Sequence, residues 1–334
     1  MNGLVTGGAG ESGSHAVKHL LAGGHAVVVV DNLSRGHRAA VDPRAPFHQA
    51  DVGDVPQIAE ILKSHRIECV MHFAAFANVG ESVADPLLYY SNNTAATIGL
   101  LNAMSAAGVR KLIFSSTCAT FGTPDELPIV ETTRQEPINP YGWSKLFVER
   151  ALIDWSAADP EFSFSALRYF NVAGCGGDGT LGEDHDPETH IIPIVLQVAL
   201  GQRKQVTVFG EDYATPDGTC IRDYIHVDDL CAAHEVAMKA LKPGDARFYN
   251  LGIGRGHSVR EVIESARRVT GHPIPAVTGE RRPGDPASLF ANADKIGKEL
   301  GWSARVTELD EVVSSAWKWF QKHPKGYDDR ARML

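Results

Sequence analysis

The sequence predicts an α/β protein built on a doubly wound parallel sheet, with a smaller, interleaved C-terminal α/β domain. Two observations carry this. Apolar runs alternate with helix-like stretches through the first half, and a glycine-rich segment follows the first of those runs. Such alternation gives βαβ units, because parallel strands need a crossover between them. A third observation sets the second domain apart: after Asn171, Gly and Pro thicken and polar loops such as GCGGDGTLGEDHDPETH appear.

The first strand is GLVT, and a helix begins at about Ser12. AVVVV at 26–30 is the next strand. The amphipathic DVPQIAEILKSHR leads into the strand ECVMHFA, and a helical stretch from about Leu87 to Ala107 leads into KLIFSS. The helix carrying YGWSK leads into FSFSALRYF, and DYIHVDDLCAAHEVAMKAL reads as a strand and helix returning to the first domain. The expected domains are therefore 1–170, with 221–250 returning to it, and 171–220 with 251–334.

With 334 residues, 43% of them hydrophobic, the chain can bury a large core. Its formal net charge is −9 and it has no block of basic residues, which argues against nucleic acid as a partner. Cys69, Cys118, Cys175, Cys220 and Cys231 are scattered, with no C-x-x-C pair, and read as free thiols in a reducing compartment. No apolar run approaches membrane-spanning length, and the start lacks a signal peptide's pattern. A cytoplasmic protein with no membrane partner is expected.

GGAGESGSH, residues 7–15, lies between a strand and a helix, where backbone N–H groups and a helix N-terminus hold a pyrophosphate. Gly7, Gly10 and Gly13 have the spacing of a Rossmann-type dinucleotide loop. Asp31 ends the next strand, where a carboxylate accepts from ribose hydroxyls and repels a 2′-phosphate, so NAD is favoured over NADP. Glu11 and Ser12 stand where bulky apolar side chains are expected. A carboxylate in a first helical turn normally gains about 0.3–1 kcal/mol from the dipole. Pointing inward here, it would compete with the pyrophosphate; turned to solvent, it is harmless. Ser12 forgoes the roughly 1.5–3 kcal/mol of a buried aliphatic side chain. The expected consequence is weakened NAD retention.

Tyr141 and Lys145 are four apart on a helix and share one face. A phenol is a poor base near neutrality unless a nearby positive charge favours its phenolate. Such a pair is common on solvated helices. Downstream of a nucleotide loop, and after SSTCATFG, it becomes a catalytic candidate, with Thr117 at a strand's carboxyl end to bond a sugar oxygen.

GEDHDPETH gathers Asp184, His185, Asp186, Glu188 and His190, all potential metal ligands. The five-residue step between the histidines lacks the one-face spacing of a zinc helix, and Pro187 breaks any helix, so a polar substrate-side loop is expected and no metal. Arg222, Arg281 and Arg282 can grip a diphosphate or form surface ion pairs. Phe209 can stack on a base or fill core.

Taken in order, TGGAG, DNLSRG, HFAAFANVGES, SSTCATFG, INPYGWSK, LRYFNVAG, DGTCIRDYIHVDDL, YNLG and RRPGDPA run nearly end to end. The chain with this series resembles the UDP-glucose 4-epimerases of the extended short-chain dehydrogenase/reductase family. The resemblance implies a retained NAD, a UDP-sugar substrate, a transient 4-keto sugar and a homodimer. It implies Tyr141 as base, Lys145 as its tuner and ribose contact, and Thr117 as hydrogen-bond partner of the reacting oxygen. Cofactor contacts map onto Asp31, Asn32, Asp51, Val52, Phe73, Ala77, Asn92 and Phe170, besides Gly7 to Gly13 and Lys145. Nucleotide-sugar contacts map onto Asn171, Phe209, Arg222, Arg282 and Asp285.

The chain departs from the family pattern at Glu11–Ser12, at Ala77 in place of a longer side chain, and at Phe121 in place of tyrosine. Leu289 falls where the family gates bulk at the sugar's 2-position, which leaves UDP-xylose/UDP-arabinose and UDP-N-acetylhexosamines open beside UDP-glucose/UDP-galactose. A 4,6-dehydratase needs acidic residues just after the active-site Thr, and Cys118 and Ala119 stand there instead. A plain sugar oxidoreductase would release NADH. A cofactor-binding but inactive regulator is opposed by the intact Tyr141, Lys145 and Thr117.

Overall fold

The computed structural model describes residues 1–282 and 285–327. β1 (Asn2–Thr6) leads through the glycine loop into α1 (Glu11–Ala22), and β2 (Ala26–Asp31) returns parallel to β1. A further strand, β3 (Phe47–Gln49), extends that edge; at three residues it carries no periodicity for sequence reading to find. α2 (Val55–Ser64) crosses to β4 (Cys69–His72), on the other side of β1. The chain continues through α3 (Val79–Ala84), α4 (Pro86–Tyr89), a π-helical turn at Tyr90–Ala95 and α5 (Ala96–Ala107) to β5 (Lys111–Thr117). α6 (Pro140–Ala158) then connects to β6 (Ser163–Tyr169).

The next elements are short: β7 (Asn171–Ala173), α7 (Ile191–Ala199), β8 (Val206–Phe209), β9 (Ile221–Arg222) and β10 (Tyr224–His226). α8 (Val227–Ala240) brings the chain back to the main sheet, where β11 (Ala246–Leu251) pairs in parallel with β6. β12 (His257–Ser258), α9 (Val259–Thr270), β13 (Ala276–Gly279), β14 (Ser288–Leu289), α10 (Asp294–Leu300) and α11 (Leu309–Lys322) follow.

The main sheet has seven parallel strands in the order β11-β6-β5-β4-β1-β2-β3. Winding reverses between β1 and β4, and ligands of open α/β sheets bind in the crevice at that reversal. Both faces are covered, so β1 is apolar on each side: Leu4 and Val5 are both fully buried and point into different cores. One core, with Val5, Val29 and Leu167, lies under α1 and α8; the other, with Leu4, Val70 and Phe114, lies under α2, α5 and α6. A separate core of Ile192, Val195, Val262, Val313 and Trp319 joins α7, α9 and α11. No helix among the described residues is long and apolar enough to cross a membrane.

Candidate functional site

β1 stops at Thr6 and α1 starts at Glu11, so the intervening glycines set the helix N-terminus at the sheet's point of reversal. Gly10 is the N-cap, and its carbonyl accepts from Ser14 N–H at 2.9 Å. A Cβ at Gly13 would collide with the carbonyl of Gly7, so only glycine allows this closure. Asp31 is 8% exposed; its Oδ2 accepts from Ala9 N–H (3.0 Å) and its Oδ1 from Leu33 N–H (2.8 Å). Burial pushes its carboxyl up, opposed by those two bonds. A glycine cradle, a helix N-terminus and a carboxylate at the end of β2 fit a dinucleotide with a free 2′-hydroxyl.

The other expected cofactor contacts lie along the same carboxyl edge. Asn32 donates from Nδ2 to Asp51 Oδ2 at 3.3 Å, and Val52 is buried beside them. Phe73 follows β4, with its ring 4.7 Å from that of His234. Asn92 sits in the π-helical turn and donates to Asn93 Oδ1 at 2.9 Å. Ala77 is exposed, and Phe170 is buried with Phe121 and Leu289. Ser12 is half-buried.

The start of α6 places Tyr141 and Lys145. Asn139 caps the helix by accepting from Gly142 N–H at 2.9 Å, and Pro140 occupies the first turn. A Cβ at Gly142 would strike the carbonyl of Ala119, so the glycine lets α6 press against the end of β5. As a result the Tyr141 phenol and the Thr117 side chain are neighbours. Burial pushes the Tyr141 phenol up to about 12, and the Thr117 side chain opposes this. Lys145 is 3% exposed; its Nζ donates to the Ser115 carbonyl at 2.8 Å and lies 5.0 Å from the Phe114 ring centroid. Burial lowers it to about 7, against the opposing pull of Glu149 one turn later.

Several supporting residues escape sequence reading. Glu149 is 1% exposed and accepts from Ser116 Oγ (2.6 Å), Gln135 Nε2 (2.8 Å) and Arg168 Nη2 (2.7 Å). It continues the four-residue step of Tyr141 and Lys145, which is the only signal the sequence offers. Asn93 donates to Ser144 Oγ at 3.1 Å and to the Phe76 carbonyl at 2.9 Å, locking the π-helical turn to α6. π-turns cluster at functional sites but have no residue signature.

On the substrate side, Arg222 Nη2 pairs with Asp285 Oδ1 at 3.0 Å. Arg282 stacks over Phe209, 4.0 Å from its centroid, and Phe209 is 38% exposed, so it is not core filling. Arg281 is held by Asp212 at 2.6 Å and lies over Tyr213. Asn171 begins β7, its N–H donating to the Asp223 carbonyl at 3.0 Å. In the GEDHDPETH loop, Glu183, His185, Glu188 and His190 converge despite lacking helical spacing.

Residues 3–252 match the model of the NAD dependent epimerase/dehydratase family. The chain belongs to that family. Within it, the chain is 50% identical over 327 residues to the UDP-glucose 4-epimerase of Lacticaseibacillus casei, covering 98% of each. It is 45% identical to the probable UDP-arabinose 4-epimerase 3 of Oryza sativa, covering 97% of this chain and 83% of that one. The structure also resembles UDP-glucose 4-epimerase from Bifidobacterium longum, solved with NAD⁺ and UDP, with a TM-score of 0.94. That pair is 42% identical and covers 98% of this chain and 100% of the other.

Proposed function

We propose that the chain interconverts the C4 epimers of a UDP-sugar, UDP-glucose and UDP-galactose foremost, with NAD as a retained cofactor. The observation that carries this is the juxtaposition of Tyr141 with Thr117, one helical turn from Lys145, on the same sheet edge as the glycine loop. NAD, held over Gly7, Gly10, Gly13 and Asp31, supplies a two-electron acceptor that is restored in each turnover. Asn32, Asp51, Val52, Phe73, Ala77, Asn92 and Phe170 line its remaining length. Tyr141 Oη takes the proton of the sugar's 4-hydroxyl and later returns it. Because burial disfavours the phenolate, a positive neighbour is required, and Lys145, one turn on along α6, is the residue we assign to that role. Thr117 holds the reacting oxygen in line with Tyr141. The 4-keto sugar turns over and is reduced on its other face, so there is no net redox change. Arg222 and Arg282 take the diphosphate, Phe209 stacks on the base, and Asn171 and Asp285 fix the sugar nucleotide.

Residues 1–170 with 221–250 form the cofactor half in this reading, and 171–220 with 251–334 the substrate half. The pairing of β11 with β6 supports the return of the chain. We further propose a cytoplasmic homodimer. Unpaired thiols at all five cysteines fit a reducing compartment. Val79, Val83, Leu87, Ile98, Trp143 and Phe147, on α3 to α6, are exposed apolar residues, and Trp143 and Phe147 pack ring to ring at 5.7 Å. A large exposed apolar patch marks an association surface. Phe147→Glu should convert the dimer to monomer in sedimentation velocity.

The deciding experiment incubates purified protein with UDP-galactose without added NAD and identifies the product by NMR. UDP-glucose without accumulated NADH is expected. Stoichiometric NADH, or a 4-keto-6-deoxy product, overturns the reading. UDP-arabinose and UDP-N-acetylglucosamine as parallel substrates test the gate at Leu289, which is 9% exposed and packed with Phe121 and Phe170.

A further inference from the structure

The loop before α7 carries a cluster that the epimerase reading does not use. Glu183, His185, Glu188 and His190 each present one ligand atom, and these atoms lie within 4.8 Å of one another. Glu183 Oε1 stands 2.7 Å from His190 Nδ1 and 3.2 Å from His185 Nδ1. Glu188 Oε1 is 3.2 Å from His190 Nδ1 and is pinned by the N–H groups of Thr189 (2.7 Å) and His190 (2.8 Å). The two carboxylates are buried, with side chains 5% and 3% exposed, while the His185 and His190 side chains are 31% and 43% exposed. Anionic ligands at the bottom and imidazoles at the mouth leave a path from solvent.

Ion pairing alone does not explain the cluster. Two imidazolium groups would balance Glu183 and Glu188. A third carboxylate, however, enters from the first turn of α1. Glu11 interacts electrostatically with all four residues, and its Oε1 is buried with no hydrogen-bond partner. His185 Nδ1 is likewise buried without an aligned hydrogen bond. A buried carboxylate oxygen without a partner is costly unless a cation fills the space before it. Two imidazole nitrogens with carboxylate oxygens are the donor set of zinc and its neighbours.

We propose that Glu183, His185, Glu188 and His190 bind a divalent transition-metal ion, Zn²⁺ being its simplest occupant, with the Glu11 carboxylate as a neighbouring counter-charge. The ion's charge, facing Glu11, draws the first turn of α1 toward the loop that precedes α7. It thereby fastens the pyrophosphate-binding end of α1 to the substrate side, away from the reacting hydroxyls. The odd residue of the glycine loop is then a counter-charge to the ion, and its role is to hold the loop in place.

The test uses the full-length, NAD-loaded protein, stripped with EDTA and dialysed. Zn²⁺ is then titrated by isothermal calorimetry, with metal content measured by mass spectrometry after gel filtration. One equivalent per chain is expected, with a melting temperature several degrees higher. The double substitution His185→Ala, His190→Ala should abolish that binding, and Glu11→Gln should weaken it about 10- to 100-fold. If the double variant does not fold, Glu188→Gln serves in its place. No stoichiometric binding by the parent protein overturns the proposal. Binding unchanged in both Glu11→Gln and the second variant also overturns it, because the ion would then sit elsewhere.

Discussion

Lys145 Nζ donates to the carbonyl of Ser115, two residues before Thr117 on the same strand. One bond thus couples the helix that bears Tyr141 to the strand that bears Thr117. The ammonium is shielded from solvent.

Tyr141→Phe removes the phenol and keeps the ring that packs edge-on against Tyr89. Turnover should fall by about 10²–10⁴-fold, the range of general acid–base catalysis. The melting temperature and bound NAD should stay near those of the parent. Near-full activity at saturating substrate would remove Tyr141 from the reaction.

Lys145 is expected to cost stability in exchange for its chemistry. Its folded value of about 7 lies below the ordinary lysine value of 10.5, so the unfolded chain binds the proton more tightly. The penalty is full below about pH 7 and is relieved as pH rises toward 10.5. Lys145→Met should therefore be inactive yet more stable than the parent at pH 6–7, by on the order of 1–3 kcal/mol. That advantage should shrink by pH 9–10. Urea unfolding at the two pH values reads the difference; a gap that widens with pH contradicts the assignment.

Much of the sheet was legible because both of its faces are covered. Val27 to Val30 form a continuous apolar run that no surface strand would show. The glycine spacing, Asp31 and the Tyr141–Lys145 step were visible because each is local in sequence. The buried pair of Arg168 and Glu149 was not visible, since its partners lie nineteen residues apart on different elements. Nor was the convergence around Glu183. The spacing test applied to His185 and His190 assumed a helix, whereas an irregular loop brings them together with their rings 5.2 Å apart. The two- to four-residue strands of the second half carry too few residues for any period.

Arg168 and Glu149 are 3% and 1% exposed and paired at 2.7 Å. Glu149→Met or Arg168→Met alone leaves a buried charge without its partner and should cost about 3–5 kcal/mol. The double replacement with methionine should cost less than the sum of the single ones, because no lone charge remains. A double-mutant cycle in urea checks this; simple additivity would show that the pair is not coupled.

Glu235 on α8 reaches His19 and His25 at 3.0 Å each and Lys239 at 2.6 Å. Burial would raise its carboxyl, but the hydrogen bonds from Lys239, His25 and His19 outweigh burial and lower it to about 2. A depressed carboxylate contributes stability that is present above its ordinary value of 4.5 and lost as pH falls toward 2. Glu235→Gln should therefore destabilise by about 1–3 kcal/mol at pH 6–7, with the gap closing below pH 4. Thermal unfolding across pH 3–7 measures it, and a pH-independent difference would exclude the ionic origin.

β11 fills the place beside β6, although the chain has by then travelled out through α7, β8 and β10. On the ribosome, β6 therefore waits with its outer N–H and C=O groups unpaired until residue 251 has emerged. Bare edges of this kind invite pairing between chains. The interval during synthesis is when that edge is most open to pairing between chains. For the same reason, grafting another enzyme's second half after residue 170 would fail unless the graft brought its own β11. One strand of the main sheet is thus encoded after the short strands β7 to β10.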